Sequence, residues 1–310
     1  MNRFMIIILG VTASGKGRLA FETAKRLNGE IISIDSMKVY RRMDIGTAKP
    51  PVRARREIPY HLIDIVEPSE SFSVARFLSL ADDAIEQIIN RDKSVIAVGG
   101  TALYLKALLY GLFKGPSEDE RIRKKLQKRA EDEGLEALHK KLSEIDPTAA
   151  RNISINDVKR IIRALEVFEL TGKPISSLQT QFENRATRHN WTIIGLRRDK
   201  EIESKRINAR VKKMMNDGLL DEVESLLAEE KPLSKQARCA IGYAELIDYL
   251  NSHGSLEEAV EKIKKNTRRL AKGQRTWFKR FRDVHWLDAG EDENTEQLLS
   301  RALELVDKTT

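Results

Sequence analysis

Cysteine is nearly absent from the sequence: Cys239 is the only one in 310 residues. A lone cysteine cannot form a disulfide within the chain, and it cannot build a zinc site that needs several thiolates. The sequence therefore excludes a disulfide framework and favours a reducing compartment, which we expect to be the cytoplasm.

Long apolar runs are also lacking. The N-terminal run FMIIIL, residues 4–9, has six residues, whereas a membrane-spanning helix needs roughly 20. The flanking residues do not show the cleavage pattern of a signal peptide. We expect no membrane association.

Negative charge is in deficit, since 47 Asp and Glu face 55 Lys and Arg and the net charge is +8. A polyanionic partner fits this balance. Total charge alone fits a merely basic protein equally well, so the placement of the charges has to decide between the two interpretations.

Short, nearly continuous apolar runs recur at residues 6–9, 31–34, 95–98, 193–196 and 284–287. Such runs are typical of parallel strands that are covered on both faces. The first run is followed by a short loop and by an amphipathic pattern over residues 18–27, which predicts a helix. These patterns predict an α/β fold with a parallel sheet.

A long stretch between the third and fourth runs shows no convincing strand pattern. Residues 118–143 are dense in charge, and residues 157–171 place apolar side chains on one helical face. We predict an all-helical insertion domain over residues 116–187, and a catalytic core with basic C-terminal helices over residues 1–115 and 188–310. The chain is long enough for two such units.

The sharpest local motif is GVTASGK, residues 10–16, which matches G-x-x-x-x-G-K between a predicted strand and a predicted helix. In such a loop the backbone N–H groups surround phosphate oxygens, and Lys16 adds a positive charge. The motif predicts a P-loop NTPase-like parallel sheet core flanked by helices. The predicted phosphate-binding residues of the loop are Gly10, Thr12, Ala13, Ser14, Gly15, Lys16 and Gly17.

Gly17 departs from the motif, which places Ser or Thr there as a magnesium ligand. The 95–98 strand also ends in Gly99, Gly100 and Thr101, without the carboxylate that P-loop kinases use to hold the metal. We therefore expect the loop to hold phosphates without hydrolysing ATP. A P-loop small-molecule kinase and a non-catalytic RNA-binding P-loop protein remain as alternatives.

Asp35 and Ser36 follow the second apolar run, so we expect them at the carboxyl edge of the sheet, where ligands of open α/β folds bind. Asp35 can thus face the phosphate site, although aspartate after a strand is also a common turn former. Further motifs are YRRMDIGTAKP at 40–50, HLID at 61–64 and VGGTALY at 98–104.

With these motifs in order, the sequence closely resembles the tRNA dimethylallyltransferases, or tRNA isopentenyltransferases, of the bacterial type. The likeness continues through residues 163–167, 206–211, 218–219, 241–243 and 271–277, and it spans almost the whole chain. It implies transfer of a dimethylallyl group from dimethylallyl pyrophosphate to the N6 amine of the adenosine immediately 3′ of the tRNA anticodon, with release of pyrophosphate.

The resemblance implies catalytic roles for Asp35, Thr101 and Arg210. Asp35 would be the general base toward the amine, while Arg210 would complete the pyrophosphate clamp. Mg²⁺ is the expected cofactor, and Thr101 would bind it or contact the pyrophosphate. Because Gly17 lacks a hydroxyl, we expect weaker metal affinity without loss of activity.

The expected partner is the anticodon stem-loop of tRNA, and a monomer is the default expectation. Ten Lys and Arg residues lie within 262–282, on a helix predicted from about Leu256 to Phe281, and others flank the insertion helix. Such density favours phosphate contacts, and residues 35–38 are expected to meet the extruded adenosine. The predicted tRNA-binding residues are Asp35, Ser36, Met37, Lys38, Lys159, Arg160, Arg163, Gly242, Tyr243, Arg268, Lys272 and Gln274.

Overall fold

A computed structural model of the chain describes residues 3–113, 115–179, 186–291 and 293–309. The chain forms two compact units, which we call the core unit (Met1–Leu109 and Thr187–Thr310) and the helical unit (Tyr110–Ala186). The sequence predicted a helical insertion over residues 116–187. In the structure the helical unit begins at Tyr110 and ends at Ala186.

The core unit is built on a parallel sheet. Its described strands are β1 (Met5–Gly10), β2 (Gly29–Ile34), β3 (Tyr60–His61), β4 (Ser94–Gly99), β5 (Thr192–Arg197) and β6 (Val284–Asp288). Their order is β3-β2-β4-β1-β5-β6, and all neighbours are parallel. The predicted fold class is confirmed. All five apolar runs are strands, whereas the two-residue strand β3 is too short to show a pattern.

Burial on both faces explains the continuous apolar runs. Ile6, Ile7 and Ile8 of β1 have no exposed surface, and Ile7 pairs with Ala97 on β4 and with Ile193 on β5. Two helices, α1 (Lys16–Arg26) and α15 (Thr295–Thr309), pack with β1 in one apolar cluster. Parallel strands with helices on their faces have no solvated side, so no polar alternation appears in their sequence.

The remaining helices of the core unit surround this sheet. They are α2 (Val52–Glu57), α3 (Val74–Asn90), α4 (Ala102–Tyr110), which ends at the unit boundary, α10 (Lys200–Asn216), α11 (Leu219–Leu227), α12 (Lys235–Arg238), α13 (Tyr243–Leu250) and α14 (Leu256–Phe278). Gly218, with φ of 95°, separates α10 from α11. Helix α14 stops at Phe278 and not at the predicted Phe281, so the basic residues Lys279, Arg280 and Arg282 follow the helix and do not lie on it.

The described part of the helical unit contains helices and no strand. They are α5 (Glu120–Glu133), α6 (Leu135–Ile145), α7 (Pro147–Asn152), α8 (Val158–Thr171) and α9 (Ile175–Leu178). Leu126, Leu142, Ile161 and Leu165 form the centre of its apolar core. Among the described residues, no helix has both the length and the apolar character that a membrane span requires.

Candidate active site

The phosphate-binding loop lies between β1 and α1. Ala13 and Gly15 have positive φ angles of 63° and 101°, which turn the backbone tightly before α1 begins at Lys16. A Cβ at Gly10 would lie only 2.7 Å from the carbonyl oxygen of Leu196, so this position requires glycine. Helix α1 begins directly after the loop, which places the positive end of its dipole at the loop.

Two arginines hold this loop through its backbone carbonyls. Arg206 Nε donates to the carbonyl of Ala13 at 2.8 Å, and Arg198 Nε donates to the carbonyl of Ser14 at 2.9 Å. Arg206 belongs to a recognised motif, but the sequence showed no pattern that singled out Arg198. The only feature that could have pointed to Arg198 is its position directly after β5, a strand that pairs with β1.

Thr12 receives two further contacts from distant helices. Arg210 Nη1 donates to the Thr12 hydroxyl at 3.1 Å, and the Thr12 N–H donates to Oε1 of Gln274 at 2.8 Å. Gln274 also donates to the carbonyl of Gly100 at 2.9 Å. Gln274 was predicted to bind tRNA, but its amide connects the loop with the end of β4 in the structure.

Asp35 and Thr101 meet at the carboxyl edge because they follow the adjacent strands β2 and β4. Oδ1 of Asp35 accepts hydrogen bonds from the backbone N–H groups of Met37 at 2.9 Å and Lys38 at 3.2 Å. The Thr101 hydroxyl accepts one from the N–H of Ser36 at 3.2 Å. Residues 35–38 are thus a turn that is fixed against Thr101.

Positive charge is concentrated beside Asp35. Burial, aided by Lys38 and Arg210 and opposed by Asp35, lowers the pKa of Lys16 to about 7. Burial also lowers the pKa of Lys38, and it lowers the pKa of the Arg210 guanidinium with help from the nearby Arg206. Three crowded cations with one carboxylate form a site that a polyanion would stabilise.

Lys16, Asp35, Thr101 and Arg210 all line one cavity of about 1120 Å³ within the core unit. Other predicted site residues are on the same wall: Thr12, Ala13, Gly15, Gly17, Ser36, Met37, Lys38, Gly242 and Gln274. Apolar side chains of α10 and α14 complete the wall: Val211, Met214, Ile263, Leu270 and Trp277. The cavity can therefore hold a diphosphate next to a hydrogen-bond acceptor and an apolar surface.

Gly10 and Ser14 support the loop from behind this wall. Ser14 has no exposed surface, and its N–H donates to the carbonyl of Val11 at 3.3 Å. Gly10 ends β1 and is packed under the Ser14 side chain. They shape the predicted pyrophosphate site and do not line it.

Tyr243 was predicted to bind tRNA, and the structure corrects this. Its ring is fully buried, and its hydroxyl donates to Glu222 at 2.6 Å. A Cβ at Gly46 would lie 2.4 Å from that ring, so the ring supports the 44–46 backbone from beneath. The Tyr243 side chain is therefore a structural support that tRNA cannot reach.

The same Glu222 carboxylate, which the sequence did not single out, holds the loop that lines the cavity at Gly46. It accepts hydrogen bonds from the N–H groups of Asp44 at 2.9 Å, Ile45 at 2.7 Å and Gly46 at 3.2 Å. Three successive amides on one carboxylate fix the backbone of this segment. Glu222 is thus a positioning residue for one wall of the cavity.

Three predicted tRNA contacts belong to the helical unit. Lys159 and Arg160 are exposed on α8. Arg163 instead donates to Glu166 at 2.6 Å and to the carbonyl of Pro116 at 2.8 Å. Since Glu166 has no exposed surface, Arg163 neutralises a buried carboxylate and stabilises its own unit. The tRNA contact of Arg163 stays a prediction.

The predicted tRNA contacts on α14 differ from one another in their exposure, and so do the aromatic residues of this helix. Lys272 is exposed, whereas Arg268 donates to the side chain of Asn208 at 2.6 Å. Phe278 is buried in the core, but Trp277 lines the cavity. Of these two aromatics, only Trp277 faces space that a substrate can enter.

His61 and Asp64 of the HLID motif take structural roles. His61 Nε2 lies 2.7 Å from the buried carboxylate of Glu30, and Asp64 accepts from Lys49 and Arg55, each at 2.5 Å. Within the described ranges, no group of three or more His, Cys, Asp or Glu side chains is arranged to hold a metal ion.

Fold and site together define an α/β protein of the P-loop class, in which a phosphate cradle and a carboxylate share one cavity. The sequence model of the family described as IPP transferase matches residues 38–281. The chain belongs to this family, and the predicted family is confirmed.

Individual relatives cover nearly the whole chain. A tRNA dimethylallyltransferase from Acetivibrio thermocellus is 47% identical over 296 residues, 95% of each chain. One from Geobacter metallireducens is 45% identical over 284 residues, 92% of each chain. The solved tRNA isopentenylpyrophosphate transferase of Bacillus halodurans is 40% identical with a TM-score of 0.72, covering 99% of this chain and 98% of that one. The solved structure of a eukaryotic dimethylallyltransferase acting on tRNA is 28% identical with a TM-score of 0.81, and the match covers 99% of this chain and 80% of that one.

Proposed function

We propose that this protein transfers the dimethylallyl group of dimethylallyl pyrophosphate to N6 of the adenosine immediately 3′ of the anticodon in tRNA. One observation carries the proposal: Lys16 of the phosphate loop and Asp35 of the strand edge line the same cavity. Relatives that are 45–47% identical over almost the whole chain are tRNA dimethylallyltransferases, which supports the same reaction here.

In the proposed reaction, N6 forms a bond to C1 of the dimethylallyl group while the bond from C1 to the pyrophosphate oxygen breaks. Pyrophosphate leaves with the electron pair of that bond, and the amine loses one proton. Asp35 is the proposed acceptor of this proton. The Met37 and Lys38 amides on Oδ1 orient the carboxylate, so a defined oxygen can meet the amine.

The departing pyrophosphate gains negative charge, which cations and loop amides arranged beforehand would stabilise. Lys16 Nζ donates to the Val11 carbonyl at 3.1 Å, which holds the ammonium over the loop. Arg210 has one N–H on Thr12, and a guanidinium keeps further N–H groups for phosphate oxygens. We assign the leaving-group clamp to Lys16, Arg210 and the amides of the loop.

Magnesium is the proposed cofactor, and the oxygen donors of the cavity fit it. Mg²⁺ in phosphate sites is usually held by one or two protein oxygens together with substrate phosphates and water. The Thr101 hydroxyl lines the cavity beside the turn of Asp35 and can serve as such a ligand without a hydroxyl at Gly17. When bound, the ion would add positive charge at the leaving pyrophosphate.

The proposed tRNA contacts combine the cavity with exposed cations. Residues 35–38 are expected to meet the extruded adenosine, while Lys159, Arg160 and Lys272 are exposed and available to backbone phosphates. We propose that the protein acts as a monomer in the cytoplasm, where its tRNA substrate is found.

The test is an incorporation assay with an unmodified tRNA transcript and magnesium. In parallel reactions the label is on the prenyl group of dimethylallyl pyrophosphate or on ATP. Prenyl label should enter tRNA, and a transcript with guanosine in place of the target adenosine should stay unlabelled. Phosphate transfer from ATP, or binding of tRNA without incorporation, would overturn the proposal.

A further inference from the structure

We propose that Arg198 is a positioning residue for pyrophosphate, which acts by fixing the direction of the peptide bond between Ser14 and Gly15. The inference rests on the proposed function, since it takes pyrophosphate as the group that the loop binds. It concerns a side chain that the motifs of the sequence do not mark and that does not line the cavity.

The geometry of a single peptide unit carries the argument. In a trans peptide the C=O and the next N–H point in opposite directions. Arg198 Nε donates to the carbonyl oxygen of Ser14 at 2.9 Å from outside the loop. The N–H of Gly15 therefore points away from Arg198, and Gly15 is on the wall of the cavity. Arg198 thus directs one of the amides that a loop of this kind offers to a phosphate.

Gly15 makes such a restraint necessary. Its φ of 101° lies in a region that glycine enters freely, and glycine can rotate its neighbouring peptides at little steric cost. A peptide turned the other way would present the Ser14 carbonyl to the phosphate and repel it. An external donor on that carbonyl favours the binding orientation before the ligand arrives, which reduces the cost of ordering on binding.

Arg198 is itself held firmly enough to act in this way. Its Nη1 donates to the carbonyls of Ala289 and Gly290, just after β6. Its Nη2 would lie 3.9 Å from a Cβ built on Gly15, so the guanidinium lies beside the loop. A rigid donor of this type connects the end of β6 to the phosphate site through one side chain.

The experiment uses Arg198→Met, which keeps most of the stem and removes every donor, and Arg197→Met as the matched control. Arg197 is the adjacent residue, but its side chain pairs with Asp288 and stacks on Trp286, away from the loop. The dissociation constant of inorganic pyrophosphate is measured by calorimetry, and KM and kcat are measured for both substrates. Melting temperatures report on folding.

Arg198→Met should weaken pyrophosphate binding and raise KM for dimethylallyl pyrophosphate by about 10-fold, the effect of losing one charged hydrogen bond. The KM for tRNA should stay within about twofold, and Arg197→Met should bind pyrophosphate like the wild type. Arg198→Lys keeps one positively charged donor group without the planar fork, and its pyrophosphate affinity should lie between those of Arg198→Met and the wild type. If Arg198→Met does not fold, Arg198→Lys carries the test against the same control.

Unchanged pyrophosphate affinity in a folded Arg198 variant would overturn the proposal, and so would an equal loss of tRNA and pyrophosphate affinity. Pyrophosphate binding also separates this inference from the proposed function. A wild-type protein that binds pyrophosphate through Arg198 but transfers no prenyl group would contradict only the proposed function. A protein that transfers the prenyl group with pyrophosphate affinity independent of Arg198 would contradict only this inference.

Discussion

Arg210 and Thr12 are joined by a hydrogen bond of 3.1 Å from Nη1 of the guanidinium to the threonine hydroxyl. The bond fixes a side chain of α10 to a loop that follows β1. The guanidinium has further N–H donors in its plane, so it can keep this contact and still grip a phosphate through two parallel N–H groups.

Arg210→Lys should therefore lower turnover by about 10- to 100-fold, since an ammonium cannot replace the paired N–H donors. Thr12→Val removes only the hydroxyl and should cost about fivefold, the effect of one neutral hydrogen bond. Steady-state rates with both substrates measure the change. Equal activity of Arg210→Lys and the wild type would refute the clamp.

Asp35→Asn should slow the chemical step by about 10²- to 10⁴-fold while tRNA affinity stays nearly intact. Asparagine keeps an acceptor oxygen for the Met37 and Lys38 amides, so the turn should persist. Single-turnover rates and tRNA dissociation constants are measured in parallel. Affinity that falls together with the rate would indicate a binding role for Asp35.

Gly17→Thr should lower the magnesium concentration that gives half-maximal rate. A Cβ at Gly17 meets nothing within 4 Å, so the new side chain has room, and its hydroxyl adds an oxygen ligand where P-loops normally have one. Gly17→Ala supplies the Cβ without the hydroxyl and is the control. An identical magnesium requirement in all three proteins would contradict this explanation.

Binding of dimethylallyl pyrophosphate should take up a proton at Lys16 above pH 7. Burial and the neighbouring cations lower the pKa of Lys16 to about 7, so the free side chain loses its proton as the pH rises through that value. An anionic ligand raises this pKa again, because it favours the charged ammonium. The affinity for dimethylallyl pyrophosphate therefore falls as the pH rises above 7. Calorimetry at pH 6 and pH 8 in buffers of different ionisation enthalpy, corrected for the ligand's own ionisation, measures the uptake. Equal uptake at both pH values would disprove the linkage.

Glu30→Gln should destabilise the protein at pH 7 and flatten the acid side of its stability profile. Burial would raise the pKa of Glu30, but hydrogen bonds from Arg91 and His61 outweigh it and hold the pKa at about 2, against 4.5 for an ordinary glutamate. The stabilisation is complete above pH 4.5 and is lost as the pH falls toward 2.

Urea midpoints at pH 7 and pH 3 measure this effect. Glu86→Gln, a change of an exposed carboxylate on α3, is the control and should leave the wild-type pH dependence in place. A Glu30→Gln variant that keeps the full wild-type pH dependence would show that other groups cause it.

Regular patterns made part of the architecture predictable. Apolar runs identified the strands, and two adjacent parallel strands brought Asp35 and Thr101 to one edge, as their positions after those runs implied.

The contact between Arg198 and Ser14 could not be predicted in this way. The two residues are 184 positions apart, and the contact joins a side chain to a backbone carbonyl. Such contacts leave no pattern in the sequence, because every residue offers the same carbonyl. The hydrogen bonds that the 44–46 amides donate to Glu222 were missed for the same reason.

The central position of β1 has a consequence for synthesis of the chain. Its two neighbours are β4 and β5, and β5 leaves the ribosome only after the whole helical unit. The N-terminal strands must therefore wait with one side of β1 unpaired while the helical unit is made and can begin to fold. Chaperones that shield exposed strand edges would act during this interval.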